Sequence, residues 1–339
     1  MTLSMDPPKR QALRVTRRTK RSFYTLLLHA ILKPFGAALA KSKHDHAPGS
    51  PQLTPPKSLY KRCEIAERYV ENTYLYDISS KNTPQETKSR RRRIVYFAGG
   101  GWHMPPSPQH WKFCQYLAHH LPNTVITVVS YPLVPHNPAP ITFPQLLALY
   151  RTISSIAQAE DENLILAGDS SGGNIVLAVA LEALREPETH PPRSVFAICP
   201  SVDMARNNPD MREIEKHDPI LNIGFTKDTA DGWVGEWDLK DPRVSPLFAN
   251  IASLSKAGVM VNGITGGYDV LRPDAILFRD KLEKEGVKGE WMDWDKQMHC
   301  FPLTFPYKLP ESVECMRWIV DVIERDGEEP QVSDPGAVK

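Results

Sequence analysis

A chain of 339 residues is long enough to bury one large core without disulfides or oligomerisation, and its formal net charge of +1 removes the main reason to expect nucleic acid or another polyanion as partner. Its five cysteines (Cys63, Cys114, Cys199, Cys300, Cys315) are odd in number, scattered and never spaced C-x-x-C, a pattern that suggests neither a disulfide framework nor a zinc site. With no N-x-S/T sequon either, the expected location is cytoplasmic.

The chain opens on "KRQALRVTRRTKRSFYTLLLHAILKPFGAALAKSK", a basic stretch followed by an apolar one that ends in Ala38-Leu39-Ala40. His29, Lys33 and Pro34 interrupt the apolar run, which is too short and too polar to span a membrane. A secretory signal, an amphipathic helix on a membrane surface and a helix packed over a catalytic domain all fit this pattern. The last is the reading adopted: residues 1–80 as an N-terminal, helical cap. Arg90 to Arg93 form a second basic run, expected as a solvated loop entering a strand.

From Arg92 onward, β-rich apolar runs alternate with longer segments of helical period. The spacing predicts strands over 92–98, 124–131, 163–168, 194–200, 257–265 and 289–295. It predicts helices over 109–121, 142–157, 171–186, 273–286 and 313–324. Strand, helix, strand in this cadence implies a mostly parallel sheet covered by helices on both faces, an α/β fold. Residues 81–200 and 246–330 are the expected catalytic core, 201–245 a cap insertion and 331–339 a disordered tail.

On such sheets functional residues collect at the carboxyl ends of strands. "LILAGDSSGGNIVLAV" places Gly168-Asp169-Ser170-Ser171-Gly172, a G-x-S-x-G, at a strand-to-helix junction. There a sharp turn lifts the Ser170 hydroxyl above the sheet, and the helix N-terminus offers free N–H groups to a developing anion. The alternative is a tight turn with no chemistry. A trypsin-like reading of "GDSSGG" fails, because that arrangement needs histidine and aspartate upstream on β-barrels. Here the partners follow: Asp269 in the glycine-rich loop "GITGGYDVLRPD", then His299 in "WDKQMHCFPL", each just beyond a strand. Asp203 also follows a strand and is the competing acid. His103, His110, His119, His120, His136 and His217 show no metal-like spacing with carboxylates and read as surface or cap residues.

Across residues 92–324 the sequence resembles the hormone-sensitive-lipase-like branch of the α/β-hydrolases, and within it the fungal steryl acetyl hydrolase-like esterases. The blocks are "AGGGW" (98–102), "SYPLVP" (130–135), "GDSSGGN" (168–174), "DPRVSPLFA" (241–249), "GGYDVLRPDA" (266–275) and "MHCF" (298–301), in that order. The resemblance implies the α/β-hydrolase fold with a cap, a Ser170–His299–Asp269 triad and an acyl-enzyme, needing no metal or organic cofactor. It also implies an oxyanion hole from the N–H groups of Gly99, Gly100 and Ser171. Two blocks depart from the family pattern. Ala98 stands where a histidine usually braces the glycine loop, and Pro132 where an arginine is usual, so the loop must be supported differently.

By resemblance and position, specificity belongs to the cap, with Trp102, Phe225, Trp233 and Trp237 as candidate substrate-binding residues and Met211 beside them. The expected partner is a small hydrophobic ester, an acetyl or short acyl ester of a sterol or secondary metabolite, with weak membrane-surface contact through the N-terminal segment. Amide, formamide or thioester hydrolysis, or acyl transfer, would use the same triad. A ligand-binding hydrolase homologue without turnover is the remaining class.

Overall fold

A computed structural model describes residues 12–36, 46–82, 90–186 and 189–326 of the protein. In chain order the elements are β1 (Leu13–Arg18), α1 (Phe23–Leu32), β2 (Cys63–Val70), β3 (Thr73–Ser80), β4 (Arg92–Phe97), α2 (Pro108–His120), β5 (Thr124–Ser130), α3 (Ala139–Ala159) and β6 (Asn163–Asp169). They continue with α4 (Ser171–Ala183), β7 (Ser194–Ile198), α5 (Met211–Glu215), α6 (Ile223–Val234), α7 (Ala252–Lys256), β8 (Met260–Tyr268), α8 (Arg272–Lys284), β9 (Gly289–Met298) and α9 (Pro310–Asp326).

The nine strands among the described residues form one sheet, in the order β1-β9-β8-β7-β6-β4-β5-β3-β2. Every neighbour pair is parallel except β2 with β3 and β3 with β5. The central strands "RRIVYF", "NLILAGD" and "SVFAI" are buried at every residue, as a sheet sandwiched between helices requires. Alternation sorts them into two cores. Val95, Phe97, Leu166 and Val195 face α3, α4 and α8, whereas Ile94, Tyr96, Ile165 and Phe196 face α2 and α9.

Two expectations are corrected. The segment before residue 80 is not a helical cap as a whole: among its described residues it supplies one α-helix, α1, and three strands toward the two sheet edges. Those strands were hidden because an edge strand needs little apolar surface; β1, "LRVTRR", buries only Leu13 and pairs Arg14 with Glu290 and Arg18 with Glu314. The basic run is solvated only in its first half: Arg90 and Arg91 are exposed before β4, and the other two arginines enter the sheet. Arg92 and Arg93 are buried, Arg93 against the buried Glu162 and against Asp77, which compensates a charge otherwise too costly to bury. The expected tail 331–339 and the Ala38-Leu39-Ala40 stretch lie outside the described residues.

Candidate active site

β6 runs into α4 with no intervening loop, and Ser170 is the hinge. Its backbone is at φ 55° and ψ −118°, a conformation that side-chain-bearing residues adopt only under constraint. The constraint is visible on both sides: the Ser170 N–H donates to the Ile198 carbonyl (2.8 Å), and its own carbonyl accepts from Asn174 N–H (3.1 Å). Close approach demands glycine at 172, where a Cβ would stand 1.9 Å from the Phe97 carbonyl oxygen. Asn174 then ties the elbow to the insertion, donating through Nδ2 to the carbonyls of Ser201 (2.8 Å) and Val244 (2.7 Å).

β8 and β9 deliver the other two residues. His299, just past β9, has its Nδ1 2.8 Å from Oδ2 of Asp269, just past β8, and both side chains are buried. The Leu271 N–H holds the other carboxylate oxygen at 2.9 Å, fixing the aspartate's rotamer. Burial alone would lower the His299 pKa, but the Asp269 carboxylate, by charge and hydrogen bond, raises it to about 9. Asp203 is turned away, its Oδ1 accepting from Ala205 N–H at 2.9 Å, so the geometry brings Asp269 and not Asp203 to His299. A second buried carboxylate, Asp218 from the insertion, accepts the N–H groups of Ile220, Leu221 and Val270, and so holds the loop after Asp269. Burial, reinforced by the charge of Asp269, pushes its pKa up to about 6.

The glycine loop explains how Ala98 is tolerated. The buried Asp169 reaches under it: Oδ1 accepts from Gly99 N–H (2.9 Å) and Tyr96 O–H (2.5 Å), and Oδ2 lies 3.1 Å from His110 Nε2. The Ser107 N–H donates to His110 Nδ1 (2.9 Å), which places the ring proton on Nε2, facing Asp169. Burial would push the Asp169 carboxyl up, yet His110, Tyr96 and Gly99 outweigh it and hold it below the usual carboxylate range. Tyr131 O–H completes the support on the Ala98 carbonyl, at 2.9 Å. Sequence reasoning missed this brace and read His110 as a surface or cap residue. The one available signal was polar: Asp169 inside an apolar strand end.

One expected donor is thereby corrected. The Gly99 N–H is spent on Asp169, so it does not stand free for an oxyanion. Free donors remain at Gly100, whose N–H has no partner among the described residues, and at Ser171, where the first N–H of α4 lacks an intrahelical acceptor.

Ser170, His299, Gly100 and Ser171 line one cavity of about 380 Å³. Its apolar walls come from Leu32 of α1, Trp102 of the glycine loop, Leu221 and Phe225 of the insertion, and Leu303. Two candidate wall residues are not there. Trp233 is wholly buried behind the wall, stacked on Trp102 with ring centroids 5.5 Å apart, because it lies deeper along α6 than Phe225, Thr226 and Thr229. Trp237 lies past the end of α6, under the Arg243 guanidinium (3.7 Å) and edge-on to Phe143. Met211 packs in a small core with Leu221, Val270 and Leu271.

The sequence pattern of the family described as alpha/beta hydrolase fold matches residues 94–303. An esterase of Acinetobacter venetianus is 29% identical over 235 residues, covering 69% of this chain and 75% of that protein. Esterase LipU of Mycobacterium tuberculosis is 27% identical over 245 residues, covering 69% of this chain and 77% of that protein. The crystal structure of a hormone-sensitive lipase from a metagenome library is similar at a TM-score of 0.72 and 19% identity, over 91% of this chain and 100% of that one.

Proposed function

The chain belongs to the alpha/beta hydrolase fold family and is a carboxylic ester hydrolase, and we propose that it acts through Ser170 as nucleophile, His299 as base and Asp269 as orienting acid. The observation that carries this reading is one cavity into which a strained serine and an aspartate-bound histidine both open. His299 accepts the Ser170 proton as the hydroxyl oxygen bonds to the ester carbon, and Asp269 stabilises the imidazolium. The carbonyl oxygen becomes an anion that takes hydrogen bonds from Gly100 and Ser171. His299 returns the proton to the departing alcohol; water, deprotonated by the same imidazole, then frees the acid from Ser170.

The apolar walls favour acetyl or short acyl esters of a hydrophobic alcohol, a class that includes sterol and secondary-metabolite esters. Beside Leu32, α1 exposes Phe23, Tyr24, Leu27 and Ile31, with Arg17, Arg18, Lys20 and Arg21 preceding them. This pairing of apolar face and cations supports presentation of the ester at an anionic lipid surface. Among the described residues no helix is long and apolar enough to cross a membrane.

Labelling with a fluorophosphonate, read as intact mass, tests the nucleophile alongside hydrolysis of a p-nitrophenyl ester series and matched amides and thioesters. The wild type gains one adduct and prefers esters. Ser170→Ala loses the adduct and lowers kcat by on the order of 10⁴ or more, and adding His299→Ala costs little further, because the two act as a unit. Ser171→Ala is mild, since its contribution is a backbone N–H. Labelling that survives in Ser170→Ala would overturn the assignment.

A further inference from the structure

Two thiols stand beside the base and take no part in the mechanism above. Cys199 follows β7 and Cys300 follows His299, and all five cysteines of the chain are free. Both residues have left-handed backbones, φ 46° and 50°. For side-chain-bearing residues this is a cost the surrounding structure must impose. The Cys300 N–H donates to the Cys199 sulfur at 3.3 Å. The two Sγ atoms and a ring nitrogen of His299 all lie within 4.8 Å of one another.

We propose that Cys199, His299 and Cys300 form a site at which a zinc ion binds reversibly and switches the hydrolase off. Tetrahedral zinc, with Zn–S of about 2.3 Å and Zn–N of about 2.0 Å, asks for about 3.8 Å between sulfurs and about 3.5 Å from sulfur to nitrogen. Rotations that draw the sulfurs together by up to about 1 Å, and sulfur toward nitrogen by up to about 1.3 Å, meet that demand. An S₂N donor set selects a soft or borderline ion over magnesium or calcium.

The surroundings favour a cation. Asp269 already holds His299 at Nδ1, the carboxylate–histidine pairing that orients metal-bound imidazoles, and Asp169 Oδ2 lies 3.7 Å from the Cys300 sulfur. His299 and Cys300 line the cavity, which gives the ion an entry path and leaves its fourth position to water or product. As the two Zn–S bonds form, each thiol releases one proton to solvent, and below about pH 9 the imidazolium of His299 gives up a third as its ring nitrogen takes the metal. A metal on Nε2 occupies the lone pair that accepts the Ser170 proton, and a metal on Nδ1 displaces Asp269; the base is lost in both cases. The inhibition rests on the catalytic reading above, whereas the binding does not.

The test uses the full, reduced chain with cobalt(II) and zinc(II) chlorides. Cobalt is expected to produce a thiolate-to-metal charge-transfer band with the visible bands of a tetrahedral site, and zinc to abolish them at one equivalent. Zinc should also stop ester hydrolysis, and EDTA should restore it. Cys199→Ser should keep zinc-free kcat/KM near wild type yet raise the half-inhibitory zinc concentration roughly tenfold or more, since losing a ligand costs at least what losing an outer partner does. Cys63→Ser should change neither. A cobalt spectrum unaltered by Cys199→Ser and by Cys300→Ser, or zinc inhibition undiminished in Cys199→Ser, would overturn the site. A normal cobalt spectrum in a chain that hydrolyses no ester would support the site and sink the esterase reading instead.

Discussion

Asp169 accepts from Tyr96, Gly99 and His110 at once, so its two oxygens set the height of the glycine loop relative to Ser170. In Asp169→Asn the amide oxygen keeps one donor set while the amide nitrogen, itself a donor, confronts the other. The expected cost is about 1–3 kcal/mol of stability, measured by thermal unfolding. A roughly tenfold to hundredfold loss in kcat should accompany it, through displacement of the neighbouring Gly100 donor. Normal kcat in a destabilised variant would reduce Asp169 to a folding role. The pH profile is governed by the other aspartate. Because Asp269 stabilises the imidazolium and raises His299 to about 9, kcat/KM should climb with pH through neutrality toward that value. Asp269→Asn should move this acid limb to lower pH while cutting kcat by roughly 10³–10⁴. The linkage to stability has the sign of a raised base: the contribution is full below the usual histidine value of about 6.5 and is lost as pH rises through about 9. The places of Ser170, Asp269 and His299 after strands could be read from the sequence because topology sets them. The lost Gly99 donor could not, since it depends on which side chain folds beneath a loop.

α1 and β1 show why the segment before residue 45 cannot be removed as a unit. Deleting it would strip from β9 the strand that pairs with Gly289 to Trp294, a few residues from His299. The expected result is a lowered melting temperature and loss of activity on every ester, not a change of selectivity. Full activity after the deletion would contradict the pairing. Leu32→Ala isolates the cap's role: kcat/KM for bulky hydrophobic esters should fall roughly tenfold relative to p-nitrophenyl acetate, in a chain whose circular dichroism is unchanged. Legibility divides along the same line. β4, β6 and β7 could be read because strands buried on both faces must be apolar throughout. The edge strands β1 and β2 were not, because alternating charged residues such as those of "CEIAERYV" satisfy an edge as well as a loop.

At the scale of the molecule, the sheet joins residues made far apart in synthesis: Leu13 sits beside Gly289, and Arg14 bonds Glu290 across 276 positions. A ribosome adding roughly 5–20 residues per second takes tens of seconds to cover that interval. Throughout it β1, with Arg14, Arg17 and Arg18, has emerged and waits without its partner β9. The β4–β6 pair and α4 are complete much earlier, so the serine elbow is in place before the strand that carries its base exists. In refolding, amides of β4 and β6 should accordingly gain protection from hydrogen exchange before those of β1, and ester hydrolysis should return with the later phase. Early protection of β1 would refute that order. On the proposed mechanism, the nascent chain holds a serine with no histidine to activate it, and esterase activity begins only when β9 takes its place between β1 and β8.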